Sequence, residues 1–394
     1  MNAADENRLV EQALLTRSAM TGSGLAGHDP YDALLSPLFD WPVFRSSRLL
    51  RFSAQQAVLR SPVNLRPLLR VPEQLNPVTI GLYLHGIADL AEAGAIDADQ
   101  ARTESETWTR RLEELTTPGL SGPAWGYPFP WEGRRHRMPT GTPTVVATSM
   151  IVNGLHRSWR QFGHESARQL IIDTSRFVLR DLPRATGDDR AFCWSYSPED
   201  HQVVLNATLK GSRMLAQSVD AGLTEERELA LSAAEASARF VCKHQEDGGG
   251  WPYAAEGDPR TWRDHHHTGY VLECLRAYAE LTGDRQFDSN CERGWEYYRS
   301  SFFDGDLPCY YDDRPGPIDA TAAGQALITL TLFGDEDFAY RVAQASSDAL
   351  RRPDGTYSYQ RKGNRLTRTH FIRWSTAWMF TGLSALIGAK GTAA

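Results

Sequence analysis

The chain of 394 residues lacks several features that would assign it to a common class of protein. No segment reaches the roughly 18 consecutive apolar residues that a membrane-spanning helix needs. The first residues also lack the basic and then apolar layout of a signal peptide. There are only five cysteines and no CxxC pair, which argues against a disulfide framework or a structural zinc site. We therefore predict a cytoplasmic protein that needs no metal ion or other cofactor.

A strong charge of one sign is also missing. The net charge is -7, with 23% charged and 41% hydrophobic residues, which is an ordinary globular composition. Because nucleic-acid-binding proteins are more often basic, we expect no nucleic acid among the partners. One exception is the segment from Arg45 to Arg70, which has six arginines and no acidic residue. This segment either makes a peripheral contact with an anionic membrane or packs on the protein with its arginines paired to acidic residues elsewhere.

What the sequence does contain is a repeated unit, in which a loop rich in glycine and aromatic residues precedes a long apolar helix. The clearest copy extends from Phe240 to Asp284. Successive starts of these helices lie about 53 to 67 residues apart, which leaves room for a second helix of about 15 residues in each unit. The predicted starts are Asn76, Pro143, His201, Asp264, Ile318 and Phe371. More amphipathic stretches between them predict outer helices.

Six such helical hairpins close a ring. We therefore predict an all-α fold, an (α/α)6 toroid, over residues 71–390, with residues 1–70 as an N-terminal extension packed on the ring. In such a ring the inner helices are parallel, so the aromatic loops and six helix N-termini share one end. The partial positive charges of the helix N-termini favour an anionic group there. We expect the functional site at this end.

Several longer motifs add a family resemblance. They read DPYDALLSP, RSPVNLRPLL, GTPTVVATSMIVNG, DHHHTGYVLECL, PIDATAAGQALIT and RWSTAWMFTGLSAL. In this order they resemble an α/α-toroid family of bacteria and archaea that is encoded among polysaccharide-biosynthesis genes, with members often mislabelled as aminolevulinate dehydratase. The segment Phe240 to Trp251 is similar to the Gln-Trp repeat of triterpene cyclases, and the architecture distantly resembles terpenoid cyclases and C5-epimerases. The resemblance implies an enzyme of cell-surface glycans or their precursors, without a defined reaction.

The densest cluster of titratable residues begins the fourth inner helix. Histidine exchanges protons near neutral pH, and an adjacent carboxylate fixes its tautomer. We therefore predict His267 as the catalytic acid or base, with Asp264 and His266 beside it, unless Asp264 only caps the helix. Consecutive helical residues diverge by about 100°, so the histidine run is a poor metal site. Tyr270 and Glu273 follow along the same face, and Glu273 is either a further acid or base or the partner of a buried arginine.

Four other inner-helix positions are predicted to bind substrate. Arg373 and Trp374 lie in the sixth helix, Asp319 begins the fifth, and Asn206 lies in the third. The resemblance implies a histidine two residues before Ala207, where this chain has Leu205. Arg373 either clamps a carboxylate or phosphate of the substrate or forms a salt bridge with Asp319 or Glu273.

The loops are predicted to contribute aromatic and basic side chains. Aromatic rings would stack on the faces of sugar rings, whereas the first aromatic residue of most loops is expected to fill gaps between hairpins. The candidates for stacking are Tyr127, Trp131, Trp251 and Tyr311. Basic loop residues make the mouth cationic and favour an anionic sugar; they are Arg134, Arg135, Arg137, Arg260, Arg263, Arg365 and Arg368.

These features predict a carbohydrate-active enzyme, an epimerase or isomerase, or a lyase, that moves a proton by His/Tyr acid-base chemistry. Three alternatives stay open. A glycosidase would need two carboxylates about 5 to 10 Å apart, such as Asp264 with Asp319 or Glu273. A terpenoid-cyclase-like enzyme would need an acidic DxDD motif, which is absent. A glycan-binding scaffold would keep the aromatic residues without a catalytic histidine. The sequence does not define the oligomeric state.

Overall fold

The computed structural model describes residues 3–61, 63–133, 137–255, 257–367 and 369–391. Long helices alternate along the chain with loops that contain short strands. In chain order the helices are α1 (Ala3–Gly22), α2 (Pro42–Ser46), α3 (Arg48–Arg60), α4 (Pro77–Glu92), α5 (Ala98–Glu114), α6 (Val145–Phe162), α7 (Glu165–Arg176), α8 (Leu205–Asp220), α9 (Arg227–Lys243), α10 (His265–Thr282), α11 (Asp288–Ser301), α12 (Ala320–Leu332), α13 (Glu336–Leu350) and α14 (Ala377–Gly391). The predicted starts of the inner helices lie within about four residues of the first residues of α4, α6, α8, α10 and α12. At the sixth predicted start, Phe371, a π-helical turn, Ile372–Thr376, precedes α14.

The strands are short and antiparallel, and the largest sheet over the described ranges has only three of them. In chain order they are β1 (Ala26–Gly27), β2 (Gln74–Leu75), β3 (Trp131–Glu132), β4 (Arg137–Met138), β5 (Arg184–Asp188), β6 (Ala191–Trp194), β7 (Phe303–Asp304), β8 (Leu307–Pro308), β9 (Ile318–Asp319), β10 (Gln360–Lys362) and β11 (Arg365–Leu366). They pair as β1–β2, β3–β4, β5–β6, β7–β8 and β9–β10–β11. The predicted all-α class is therefore confirmed.

Six helices, α4, α6, α8, α10, α12 and α14, form a closed inner ring, because each packs against the next and α14 packs back on α4. Glycines allow the closest of these contacts. A Cβ atom on Gly154 would lie 2.0 Å from the carbonyl oxygen of Gly81, and one on Gly382 would lie 2.5 Å from that of Gly324. The predicted six-membered toroid is confirmed by this closure.

A recurrent hydrogen bond joins the start of an inner helix to the aromatic loop that follows in the chain. The backbone N–H of Val145, Leu205, His265 and Ala320 donates to the carbonyl oxygen of Tyr196, Tyr253, Tyr310 and Tyr359, at 3.0, 3.2, 3.0 and 3.1 Å. These N–H groups have no partner inside their own helices. The bond fixes each aromatic loop over the N-terminus of the preceding inner helix, so the loops gather at one end of the ring.

Helices α5, α7, α9, α11 and α13 lie outside the inner ring, each against its neighbours in the chain. Helix α1 packs beside α14 and lies between α5 and α13, because Arg17 donates to Glu104 at 2.6 Å and Ser347 donates to Gln12 at 3.3 Å. The predicted boundary between an extension, 1–70, and the ring, 71–390, stays a prediction. Within the described part of the chain no helix is long and apolar enough to cross a membrane, and a cytoplasmic location also stays a prediction.

The arginines between positions 45 and 70 have different environments. Arg51 donates to Glu132 at 2.6 Å, and Arg66 donates to Asp32 at 2.6 Å; both arginines are buried. Arg48 is half-exposed and donates to the carbonyl oxygen of Gly133. These contacts fix α3 on the loop that contains β3, at the end of the ring where the aromatic loops lie.

Candidate functional site

A cavity of about 560 Å³ opens at the end of the ring that carries the aromatic loops. This volume lies within the range of small-molecule sites in proteins. Its described aromatic lining is Tyr31, Phe52, Tyr127, Phe129, Trp131, Tyr196, Tyr253, Trp262, Tyr270, Tyr311 and Trp374. The cavity lining therefore contains flat aromatic rings and the phenol groups of six tyrosines.

The predicted catalytic histidine, His267, lines this cavity and is a quarter exposed. Its Nδ1 lies 2.7 Å from Oδ2 of Asp264. Asp264 is the N-cap of α10, and its Oδ1 also accepts the backbone N–H of His267 at 3.0 Å. One carboxylate thus caps the helix and holds the imidazole ring, which unites the two roles that the sequence left as alternatives. The hydrogen bonds of His267 with Asp264 involve its backbone N–H and Nδ1, and not Nε2.

The charge of Asp264 is stabilised despite its burial. Burial alone would raise the pKa of this carboxyl, but His266, His267 and the hydrogen bonds from His267 hold the pKa well below its ordinary value. Trp262 adds a further donor, with its Nε1 atom 3.2 Å from Oδ2. Asp264 is therefore an anion at neutral pH and can stabilise a proton on the imidazole of His267.

His266 also lines the cavity, but it is buried and differs from His267 in its hydrogen bonding. Its Nδ1 lies 3.2 Å from Oδ1 of Asp264 and makes no hydrogen bond with any described residue. Burial lowers the pKa of His266 to about 3. The ring is therefore neutral and lies edge-on to Trp374 and Tyr310.

Arg373 supplies the positive charge of the cavity. Its Nε and Nη2 atoms donate to the two oxygens of Asp29 at 2.6 and 3.0 Å, and its guanidinium lies over the rings of Tyr127 and Trp374. Nη1 has no hydrogen-bond partner among the described residues. Arg373 is buried and lines the cavity, so its charge lies at the cavity wall. The predicted salt bridge with Asp319 or Glu273 does not form.

Tyr270 lies below His267 on α10, with its ring centroid 5.7 Å from that of the imidazole. Burial raises its pKa well above the ordinary value. Burial also raises the pKa of Tyr31 to about 12 and the pKa values of Tyr127, Tyr196 and Tyr253. These phenols therefore stay protonated at neutral pH and act as hydrogen-bond donors.

Besides Asp264, which lies behind His267, four predicted site residues lie outside this cavity. Asp319 is fully buried and caps α12. Trp251 is buried and donates to the carbonyl oxygen of Val241. Asn206 and Trp251 border a void of about 10 Å³ behind Asp264 and His267. The structure instead brings together His266, His267, Tyr270, Arg373, Trp374, Tyr127, Trp131 and Tyr311.

The fourth, Glu273, belongs to the opposite end of the ring. It forms an ion pair with Arg213, and Gln325 donates to it at 3.3 Å. Burial opposes its ionisation, but Arg213 and Lys210 lower the pKa of Glu273 to about 2. It lines a second cavity of about 460 Å³ with Asp89 and Arg157 near the helix C-termini. Glu273 is thus the partner of a buried arginine and does not meet His267.

Asp264, His266 and His267 could offer a metal ion three ligand atoms, which lie within 4.8 Å of one another. However, both Asp264 oxygens already accept hydrogen bonds, and Nδ1 of His267 is one of the donors. A metal ion would have to replace these bonds. The expectation that no metal is needed stays a prediction.

Some cavity residues were not singled out in the sequence as site residues. Tyr31 comes from the DPYDALLSP motif, together with Asp29, which pairs with Arg373, while Gln55 and Arg60 come from α3. The motif and the arginines of the segment from Arg45 to Arg70 were the available signals. Of the basic loop residues, Arg260 lines the cavity and is paired with Asp258, whereas Arg134, Arg135 and Arg368 lie outside the described residues.

Comparison with known proteins gives no match to a protein-family model and none to a curated protein. Solved structures do match. A cellobiose 2-epimerase from Bacillus thermoamylovorans is 9% identical, with a TM-score of 0.61 over 80% of this chain and 88% of that one. An unsaturated glucuronyl hydrolase from Bacillus sp. GL1 is 12% identical, with a TM-score of 0.61 over 97% and 96%. A D-mannose isomerase is 11% identical, with a TM-score of 0.56 over 79% and 86%. At identities this low, the TM-scores show only that these proteins share the (α/α)6 toroid fold with this chain.

Proposed function

We propose that this chain is a carbohydrate-active enzyme of cell-surface glycan biosynthesis that transfers a proton at a carbon atom of an acidic sugar. The reaction is an epimerisation or isomerisation or, when a group is eliminated, a lyase reaction. The observation that carries this proposal is the His267–Asp264 pair at a cavity lined by tyrosines. The carboxylate favours a proton on Nδ1, which leaves Nε2 as the base.

Side chains of this protein can supply each proton transfer in the proposed reaction. Nε2 of His267 removes the proton from the carbon beside a carbonyl group, and the C–H electron pair forms an enolate. Its oxygen accepts hydrogen bonds from protonated tyrosines or Arg373. A phenol on the opposite face donates a proton to the carbon and gives an epimer, and the proton on His267 then restores the phenol. For an isomer, the proton of the neighbouring hydroxyl passes to the enolate oxygen, and His267 returns its proton to the former carbonyl carbon. Loss of a leaving group from the next carbon gives an unsaturated product.

Hydrolysis by paired carboxylates has less support. The described lining of the cavity contains a single carboxylate, Glu132, which is buried and ion-paired with Arg51. Asp264 is held by His267 behind the cavity wall. A glycosidase needs two carboxylates that face the same glycosidic bond.

The lining favours an anionic substrate. Arg60, Arg260 and Arg373 line the cavity with Glu132 as the described acidic residue. Arg260 and Arg373 are each held by an aspartate, while Arg60 is exposed. The guanidinium of Arg373 is held in place by Asp29 before a ligand binds, and its charge favours a carboxylate or phosphate group. A uronate, a nucleotide sugar or a lipid-diphosphate sugar meets this requirement.

Solvent-deuterium incorporation tests this proposal. Candidate uronic acids, nucleotide sugars and lipid-linked sugars are incubated in D2O with the protein, and deuterium at carbon is measured by mass spectrometry. His267→Gln should lower incorporation about 10²- to 10⁴-fold, the usual contribution of a positioned proton-transfer group. His201→Gln, at an exposed loop histidine, is the matched control and should keep full activity. Full activity of a folded His267→Gln protein would point to another base, and no incorporation by the unaltered protein with any candidate would favour a binding scaffold.

A further inference from the structure

Residues 41–70, called the arm below, expose apolar side chains at high density. Among the described residues, six of the nine exposed large apolar side chains lie on the arm. They are Trp41, Val43, Leu49, Leu50, Val63 and Leu68. The exposed fractions reach 72% for Leu49 and 81% for Leu68. Single exposed apolar residues are normal in folded proteins, but a concentration of them in one segment indicates an interaction surface.

The same segment is cationic on its solvent side. Arg51 and Arg66 are buried in ion pairs, whereas Arg45, Arg60 and Arg70 are exposed. Within the described ranges none of these three exposed arginines forms an ion pair. Because the arm contains no acidic residue, its exposed surface is positive although the whole chain carries a net charge of -7.

Helix α3 presents this surface in a fixed orientation. Its buried residues are Arg51, Gln55 and Val58, and the buried Arg51 and Gln55 bind Glu132. With about 100° between consecutive helical residues, Leu49 and Arg60 project from the side opposite this buried face. An apolar and a cationic side chain therefore share the outer face of a helix that is anchored by buried polar contacts.

We propose that the outer surface of the arm docks on an anionic lipid bilayer. Apolar side chains that enter the interface, together with arginines that reach lipid headgroups, are the combination that such surfaces bind. A second copy fits less well, because a symmetric dimer would place the same unpaired arginines face to face. Since Phe52, Gln56 and Arg60 line the cavity, docking would hold its mouth beside the membrane. This inference does not rest on the proposed proton transfer.

Sedimentation with lipid vesicles tests the docking surface. The full chain is mixed with vesicles of phosphatidylcholine alone or with added phosphatidylglycerol, at low and high salt. Binding to the anionic vesicles should be about 10- to 100-fold tighter, as expected for three arginines near a charged surface, and high salt should weaken it. The double variant Leu49→Asp, Leu68→Asp should lower this affinity at least about tenfold, and Arg45→Glu with Arg70→Glu should remove the preference for anionic lipid.

Matched controls are exposed leucines elsewhere on the chain. Leu229→Asp and Leu366→Asp alter side chains that are 50% and 40% exposed and lie off the arm, so both should bind vesicles as the unaltered protein does. Equal binding to both vesicle types, no binding, or equal loss in arm and control variants would overturn the proposal. A dimer in sedimentation velocity that only the arm variants dissociate, without vesicle binding, would assign the surface to a second copy instead.

Discussion

Two inner helices, α10 and α12, are neighbours in the ring, and each begins with a buried aspartate as its N-cap. Asp264 accepts the backbone N–H of His267, and Asp319 accepts those of Thr321 and Ala322. The two aspartates differ in the partner of their second carboxylate oxygen. In Asp264 it faces the imidazole of His267, whereas in Asp319 it accepts the neutral amide of Gln360 at 2.7 Å.

The pKa values of the two carboxyl groups move in opposite directions. Both lose the solvation that favours the anion. His266 and His267 offset this loss at Asp264 and lower its pKa. At Asp319 the hydrogen bonds from Gln360, Thr321 and Ala322 offset it only in part, and burial raises the pKa to about 6. The same capping residue is thus a fixed anion in one helix and a titrating acid in the next, and only the first faces a cavity through its neighbour.

Exchange of each aspartate for asparagine gives the largest expected difference. Asparagine still caps a helix, but the amide of Asp264→Asn would present an N–H group to His267 and favour the proton on Nε2. Deuterium incorporation should then fall about 10²- to 10⁴-fold, whereas Asp319→Asn should change it by no more than a few-fold. Similar losses in both variants, with both proteins folded by thermal melting, would show that Asp264 acts through the structure of the ring.

Much of the fold and part of this comparison could be predicted from the sequence. Helical periodicity and local caps are short-range signals, so the starts of α10 and α12 could be read directly from Asp264 and Asp319. The partners of these residues are long-range. Gln360 meets Asp319 only because β10 pairs with β9, and no local pattern contains that contact.

The same reason explains the misplaced partners of Arg373 and Glu273. Asp29 and Arg373 are 344 residues apart and meet only when the ring closes between the two ends of the chain. Glu273 follows His267 by six residues, which is nearly two helical turns, and this distance along the axis carries it to the opposite cavity. Six residues also turn the helix by about 600°, so Glu273 projects about 120° away from His267 around the helix axis.

A smaller effect should appear in the pH dependence of stability. The unfolded carboxyl of Asp319 titrates near its ordinary pKa of 3.8 and the folded one near 6, so protonation favours the folded state. Its contribution is complete below about pH 4 and is lost as the pH rises through about 6. The difference in unfolding free energy between the unaltered protein and Asp319→Asn should therefore fall by on the order of 3 kcal/mol over this range.

Urea unfolding at a series of pH values measures this slope, and Asp264→Asn provides the opposite case. Because the pKa of Asp264 is lowered, its contribution is present above the unfolded pKa and is lost as the pH falls through the folded one. The two difference curves should therefore slope in opposite directions. Parallel curves for Asp319→Asn and the unaltered protein would contradict the raised pKa of Asp319.

The smallest expected effect concerns Arg373, which lies in the π-helical turn before α14. Arg373→Lys keeps a charge beside Asp29 but removes the planar guanidinium that lines the cavity. Loss of one charge-assisted hydrogen bond should raise the KM for an anionic substrate about 10- to 100-fold with a smaller change in kcat.

Arg66→Lys is the matched control, because Arg66 is also buried and paired with an aspartate, Asp32, but does not line the cavity. Both variants should lose stability, while only Arg373→Lys should change KM. An equal rise in KM for Arg66→Lys would mean that Arg373 supports the shape of the cavity and does not bind the substrate.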